Sequence, residues 1–364
     1  MFTPLGATDA EQLVRDAPIP RRVGVVEYVL AGGTDPSSDV TALLLPEGRA
    51  MLAAAARGFA ETPGVEQVYY GIHEALTPTM PRLERCSPQR CTSPEHAVRE
   101  LTCYCDALLL IAPEIDGALA QLVTFAERLC SRNACVLLNL PADLCALFGD
   151  KVQTYRWLAQ QEIPAVPHVP AKRACVGPPE RLVAKPRYGA GCEGVQIVPA
   201  AETVPDDCCI APFVPGLACS VSALLGPAHA VLLPPAYQWI TVGDRFTYHG
   251  GAIPLPDPIA MPLHQLLYRL LLAMEPATGF IGIDCIVPWG VQIGSDSGRG
   301  PEALIVEVNP RMTTSVAAQP AAVGINIFGL LLALQHPCEA PSVSVLRTCR
   351  AVTFSPDGTV RSFL

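Results

Sequence analysis

The residues best suited to chemistry lie in 303–315, ALIVEVNPRMTTS. Residues 303–309 alternate, so Leu304, Val306 and Val308 face one way and Ile305, Glu307 and Asn309 the other. Pro310 cannot donate to a ladder and ends the strand. A carboxylate and a carboxamide therefore project from one face of a strand end, roughly 6–7 Å apart at their Cα atoms. That span suits oxygen ligands on two divalent ions held about 3.5–4 Å apart. Arg311 follows as a fixed positive fork for a carboxylate or phosphoryl oxygen. In isolation the same residues also describe a capped strand end followed by a turn-forming Asn-Pro, so the rest of the chain decides.

Other candidates are spread along the sequence. Residues 182–186, LVAKP, form a strand that presents Lys185. Gly189, Gly191 and Gly194 follow at once, and a loop of this kind lets backbone N–H groups approach phosphates closely. It lacks the ending of a P-loop and the strand–GxGxxG–helix setting of a dinucleotide fold. Lys151 stands at the start of a periodic helix, 150–163. The apolar strand 280–287, FIGIDCIV, carries one carboxylate, Asp284, which must find a metal or hydrogen-bond donors if buried. It can lie beside 303–309 in an antiparallel pair, bringing Asp284 to Glu307. Glu27 within the first strand, Glu114 after a later one, His249 beside two glycines and Thr314 complete the set as substrate contacts.

The positioning elements read as α/β. Strands 22–30, 65–70, 107–112 and 135–138 alternate with helices 46–59, 94–101 and 115–130, which predicts a parallel sheet covered by helices on both faces. This first domain spans 1–149. Residues 1–20 read as a loose leader and 77–94, with four prolines, as an irregular loop. A second unit, 150–216, holds the glycine loop and ends in the strand 208–214. A third, 217–364, opens on a proline-broken stretch to Gly243 and contains helix 262–274, a flexible loop at 294–301 and a closing apolar helix at 325–335.

Composition narrows the class. The 364 residues carry a net charge of −9 and no lysine- or arginine-rich run, which argues against nucleic acid as a partner. The first twenty residues have no apolar core, and prolines interrupt the uncharged run 208–243, so a soluble cytoplasmic protein is expected. The chain has 15 cysteines but no CxxC spacing, and most stand among apolar residues, so they read as free thiols.

Lys151, Lys185 before a glycine loop, Asp284 in mid-strand and Glu307-Val-Asn309-Pro-Arg311, taken in that order, resemble the ATP-grasp superfamily of carboxylate–amine ligases over about residues 105–335. The resemblance implies a Rossmann-like, parallel-sheet pre-ATP-grasp domain followed by two α+β lobes sandwiching ATP. It also implies two lysines on the phosphates, a glycine loop closing over them, and Asp284, Glu307 and Asn309 on two Mg²⁺ ions, with Mn²⁺ a substitute. The segment 210–214, IAPFV, matches the strand that receives adenine, which makes Ala211 and Phe213 ATP contacts; Pro212 stands near the position where the family often has Glu. Residues 26–33, the Glu47-Gly48-x-x-Met51-Leu52 run, 111–114, 189–194 and 309–315 look like the tyramine–glutamate ligase group of methanofuran biosynthesis.

The reaction implied is amide formation between the γ-carboxylate of glutamate and the amine of tyramine or tyrosine, through an acyl phosphate. Lys185 and Arg311 would be catalytic by charge neutralisation, and no enzyme nucleophile is required. An alkyl ammonium is about three pK units from reactive at pH 7, so a base or a desolvating amine pocket is expected, with Glu27, Glu114 and His249 as candidates. A homodimer is the default assembly. Another ATP-grasp amino-acid ligase, of the pyrrolysine-pathway or D-alanine type, and a non-enzymatic nucleotide-binding subunit are the competing readings.

Overall fold

The computed structural model describes residues 2–171, 181–189, 191–199, 204–243, 245–289, 302–336 and 342–363. The loop expected at 294–301 lies outside them, as does Ala190 within the glycine loop.

Arg22–Glu27 is buried along nearly its whole length, as a strand covered on both faces must be. It forms the middle of a five-stranded, all-parallel sheet in the order Cys86–Cys91, Gln67–His73, Arg22–Glu27, Ala107–Ile111 and Val136–Leu137. Successive side chains divide between two cores. Val26, Leu108 and Leu110 pack on one side with helices Pro94–Leu101 and Ala118–Asn133. Val23, Val25, Leu109 and Ile111 pack on the other against Leu52, Ala55 and Phe59 of helix Asp39–Glu61. This second core continues through Phe328 to Phe280, with ring centroids 5.6 and 5.9 Å apart, and so fuses the parallel sheet to the large sheet.

A four-stranded antiparallel sheet, ordered Val169–Pro170, Cys208–Pro212, Leu182–Pro186 and Gln196–Val198, carries Lys185. The ten-stranded sheet holds Gly216–Leu225 and Leu304–Asn309 on either side of Gly279–Pro288.

Three local expectations are corrected. The leader is ordered: Thr3–Leu5 pairs in parallel with Ser342–Leu346, and helix Ala7–Asp16 buries Ala10. The loop at 77–94 contains the edge strand Cys86–Cys91, where Pro88 is tolerated because an edge need not donate outward. The proline-broken stretch is three strands, Gly216–Leu225, His229–Leu232 and Ala236–Val242, with Pro227, Pro234 and Pro235 in the connections.

Among the described residues no single helix is long and apolar enough to cross a membrane. One bent pair, 314–323 and 327–333, is apolar enough by composition, but it turns through 99° and is largely buried in the core. All 13 described cysteines are free.

Candidate active site: a cleft between two sheets

The strands Gly279–Pro288 and Leu304–Asn309 run antiparallel with Asp284 directly opposite Glu307 and Gly282 opposite Asn309. The register shifts just past Asp284, a bulge of the kind that re-aims side chains. Asn309 Nδ2 donates to Asp284 Oδ2 at 2.9 Å, and Gln238 Nε2 donates to Oδ1 at 2.8 Å. Burial and the neighbouring Glu307 push the Asp284 carboxyl up to about 6. Two carboxylates thus share one desolvated place and a free amide oxygen adjoins them, an all-oxygen donor set that fits a hard divalent cation. Among the described residues no group of three or more His, Cys, Asp or Glu side chains could hold a metal, and this trio includes an amide.

Lys185 faces the trio from the four-stranded sheet, across a cleft of about 620 Å³ lined by both. It is 6% exposed, and burial pulls its ammonium below the usual range. Its Nζ makes no hydrogen bond or ion pair with any described residue, although Glu307 and Asp284 attract its charge. Lys151 differs. Its Nζ lies 3.0 Å from Glu307 Oε1 and donates to the Gly189 carbonyl at 2.9 Å. Burial opposes its charge, but Glu307 overrides burial and the net shift is upward.

Asp150 fixes the stem of the glycine loop. Its carboxylate caps helix Lys151–Gln160 through the N–H groups of Val152 and Gln153. It also accepts from Arg187 at 2.8 and 2.6 Å and from the Tyr188 hydroxyl at 3.0 Å. Gly191 lines the cleft, whereas Gly194 packs against Pro186 outside it. Ala211 and Phe213 line the cleft too, but the Phe213 N–H is already given to the Arg181 carbonyl, and the Arg181 guanidinium lies 4.6 Å over the Phe213 ring.

Arg311 and Thr314 reach the cleft; Glu27, Glu114 and His249 do not line it. Glu114 grips Arg311 from behind in a fork, at 2.9 and 3.0 Å, both side chains being buried. Glu27 turns back to accept from its own turn at Leu30 N–H, 2.8 Å away, beneath Gly48. His249 follows Tyr248 in the strand Phe246–Ile253; Tyr248 faces the cleft, so His249 points away, exposed and bonded to Thr241. The cleft also contains Glu47, Gln238, Tyr248 and Arg181, which sequence reasoning did not select. Glu47 alone had a signal, as part of the Glu47-Gly48 run in the resemblance.

A family profile described as an ATP-grasp domain matches residues 148–315, and one described as a pre ATP-grasp 3 domain matches 72–135. The chain carries an ATP-grasp domain preceded by a pre ATP-grasp domain. This is a fold of ATP-dependent ligases, and the pre ATP-grasp match takes in the strands Cys86–Cys91 and Ala107–Ile111 of the parallel sheet. No curated protein matches it in sequence. An ATP-grasp superfamily protein from Archaeoglobus fulgidus has a similar structure, with TM-score 0.66, 21% identity and 92% of each chain covered. N5-carboxyaminoimidazole ribonucleotide synthetase (purK) bound to ADP matches at TM-score 0.66 and 13% identity, covering 93% of this ATP-grasp chain and 82% of the other. The L-amino acid ligase of Bacillus licheniformis matches at TM-score 0.60 and 15% identity, covering 92% and 79%.

Proposed function

We propose that this ATP-grasp ligase joins the γ-carboxylate of glutamate to the amine of tyramine, or of tyrosine, through an acyl phosphate. Lys185 carries the reading: a buried ammonium in no close ion pair among the described residues faces an oxygen trio across an open cleft. A charge held in that state is stabilised when a triphosphate enters. The choice of acid and amine rests on the motif resemblance at 26–33, 47–52, 111–114, 189–194 and 309–315.

In this reading Lys151 and Lys185 bind the phosphates and the loop at Gly189–Gly194 covers them, excluding the water that would hydrolyse an acyl phosphate. Asp284, Glu307 and Asn309 hold the magnesium ions, two in number, which neutralise triphosphate charge when bound. The γ-carboxylate attacks the terminal phosphorus, ADP departs, and the amine then displaces phosphate from the acyl carbon. Arg311 is held rigid by Glu114 and keeps donors free for the acyl phosphate. The three units divide near residues 149 and 216.

The test is ADP release with ATP, Mg²⁺, paired acids and amines. Glutamate with tyramine or tyrosine is expected to give the fastest coupled release, and Lys185→Ala and Glu307→Gln to reduce it by about 10²-fold or more, a loss of about 3 kcal/mol of transition-state stabilisation. Release that ignores the amine, or that survives both substitutions, overturns the reading. Faster turnover with two α-amino acids would favour a dipeptide ligase, in keeping with the likeness to the L-amino acid ligase.

A further inference from the structure

Glu47 lies on helix Asp39–Glu61, which packs on the parallel sheet, yet its carboxylate lines the cleft that holds Lys185 and the oxygen trio. Its Oε2 accepts from Thr314 Oγ1 at 3.1 Å, a contact joining positions 267 residues apart. No lysine or arginine pairs with it among the described residues; the nearby Arg311 is taken by Glu114. One carboxylate oxygen therefore remains free to face the cleft. Tyr248 and Cys192 each sense both Glu47 and Asp284 electrostatically, so the two carboxylates border one space. The Tyr248 hydroxyl has no hydrogen-bond partner among the described residues. Gly48 assists the placement: a Cβ there would stand 2.7 Å from Glu27 Cδ, so glycine lets the helix settle this close to the sheet without displacing the Glu27 carboxylate.

From this geometry we infer that Glu47, with Thr314 and Tyr248, is the binding site for the ammonium group of the acceptor amine, and that Glu47 is the base that deprotonates it. The inference rests on the acyl-phosphate reading above. A primary ammonium offers three donors, and the site offers a carboxylate, a hydroxyl and a phenol oxygen to receive them. At pH 7 only about one in a thousand alkylamines is neutral, so a carboxylate held against the nitrogen is needed. The balance is simple. The Glu47 carboxylate takes one ammonium proton; the freed nitrogen pair attacks the acyl carbon; a C–N bond forms and the C–O bond to phosphate breaks. The departing phosphate keeps that electron pair and takes the second nitrogen proton. Glu27, Glu114 and His249 do not serve here: Glu27 is turned into its own chain turn, Glu114 grips Arg311, and His249 points away toward Thr241.

The experiment compares two acceptors with ATP, Mg²⁺ and L-glutamate: tyramine, cationic at pH 7, and hydroxylamine, small and neutral. Glu47→Gln is expected to lose at least tenfold more tyramide than hydroxamate and to raise KM for tyramine more than KM for ATP. Glu47→Asp should restore part of the tyramide rate, and Thr314→Val should show a smaller loss of the same kind. Equal losses with both acceptors, or no loss with either, would overturn the assignment of Glu47 alone. Failure of the unaltered enzyme to form any glutamyl hydroxamate would instead sink the acyl-phosphate reading.

Discussion

Glu27 is a carboxylate of 2% exposure, answered only by backbone N–H groups, and burial raises it to about 7. Its folded value exceeds its unfolded value, so its ionisation works against the fold. Stability is lost as pH rises from about 4.5 to 7, by about 3 kcal/mol over that window. Glu27→Gln keeps the acceptor for Leu30 and should flatten this slope, melting higher than the unaltered protein at pH 8; thermal melts at pH 5 and pH 8 decide it. Glu114 matters through its contact, because it is the acceptor that makes a buried Arg311 tolerable. Glu114→Gln should cost about 3–5 kcal/mol in urea unfolding, the usual result of stranding a buried charge. At this scale sequence reading nominated Glu307, Asn309, Arg311 and Lys185, side chains within or just after a strand, and the structure brings all four to one cleft. It also nominated Glu27, Glu114 and His249, because residue type and nearness to a strand end do not reveal which way a side chain turns. Strand parity removes His249, and a local turn claims Glu27.

At the scale of elements, the helix start at Lys151 and the glycine-loop stem meet at one carboxylate, Asp150. Arg187→Ala would free the stem while leaving the cap in place. KM for ATP should rise by about tenfold, equal to 1.4 kcal/mol of binding, with a smaller change in unfolding midpoint; initial-rate kinetics and melts read the two separately. An unchanged KM would mean that the stem needs no anchor. The strand Leu182–Pro186 could be read to the residue because apolar residues precede its lysine and glycines follow it. The strands near Pro227, Pro234 and Pro235 could not, since a proline in a connection resembles, in local sequence, one that breaks a strand. Ser342–Leu346 and Ala351–Phe354 also escaped notice, being short and stabilised by partners far away in sequence, as did Val360–Phe363, a short edge strand paired with Ala351–Phe354.

Across the whole molecule, Phe59, Phe328 and Phe280 form one continuous aromatic contact between the parallel sheet and the large sheet. Phe328→Ala should therefore lower stability by about 3–5 kcal/mol, and calorimetry should show both sheets melting at the same temperature in the unaltered protein. Two well-separated transitions in that protein would contradict a shared core. Such long-range fusion was invisible to periodicity, which reports which residues are buried but not against what.

The pairing of Thr3–Leu5 with Ser342–Leu346 constrains how the protein is made. The strand Thr3–Leu5 has no partner until some 340 further residues have been added. At about 5–20 residues per second this wait is roughly 20–70 s. The large sheet can therefore close its flank only after translation has passed residue 346, whereas every strand of the parallel sheet is available by residue 137. The nascent chain thus holds all five parallel strands while the seam between Thr3–Leu5 and Ser342–Leu346 is still open.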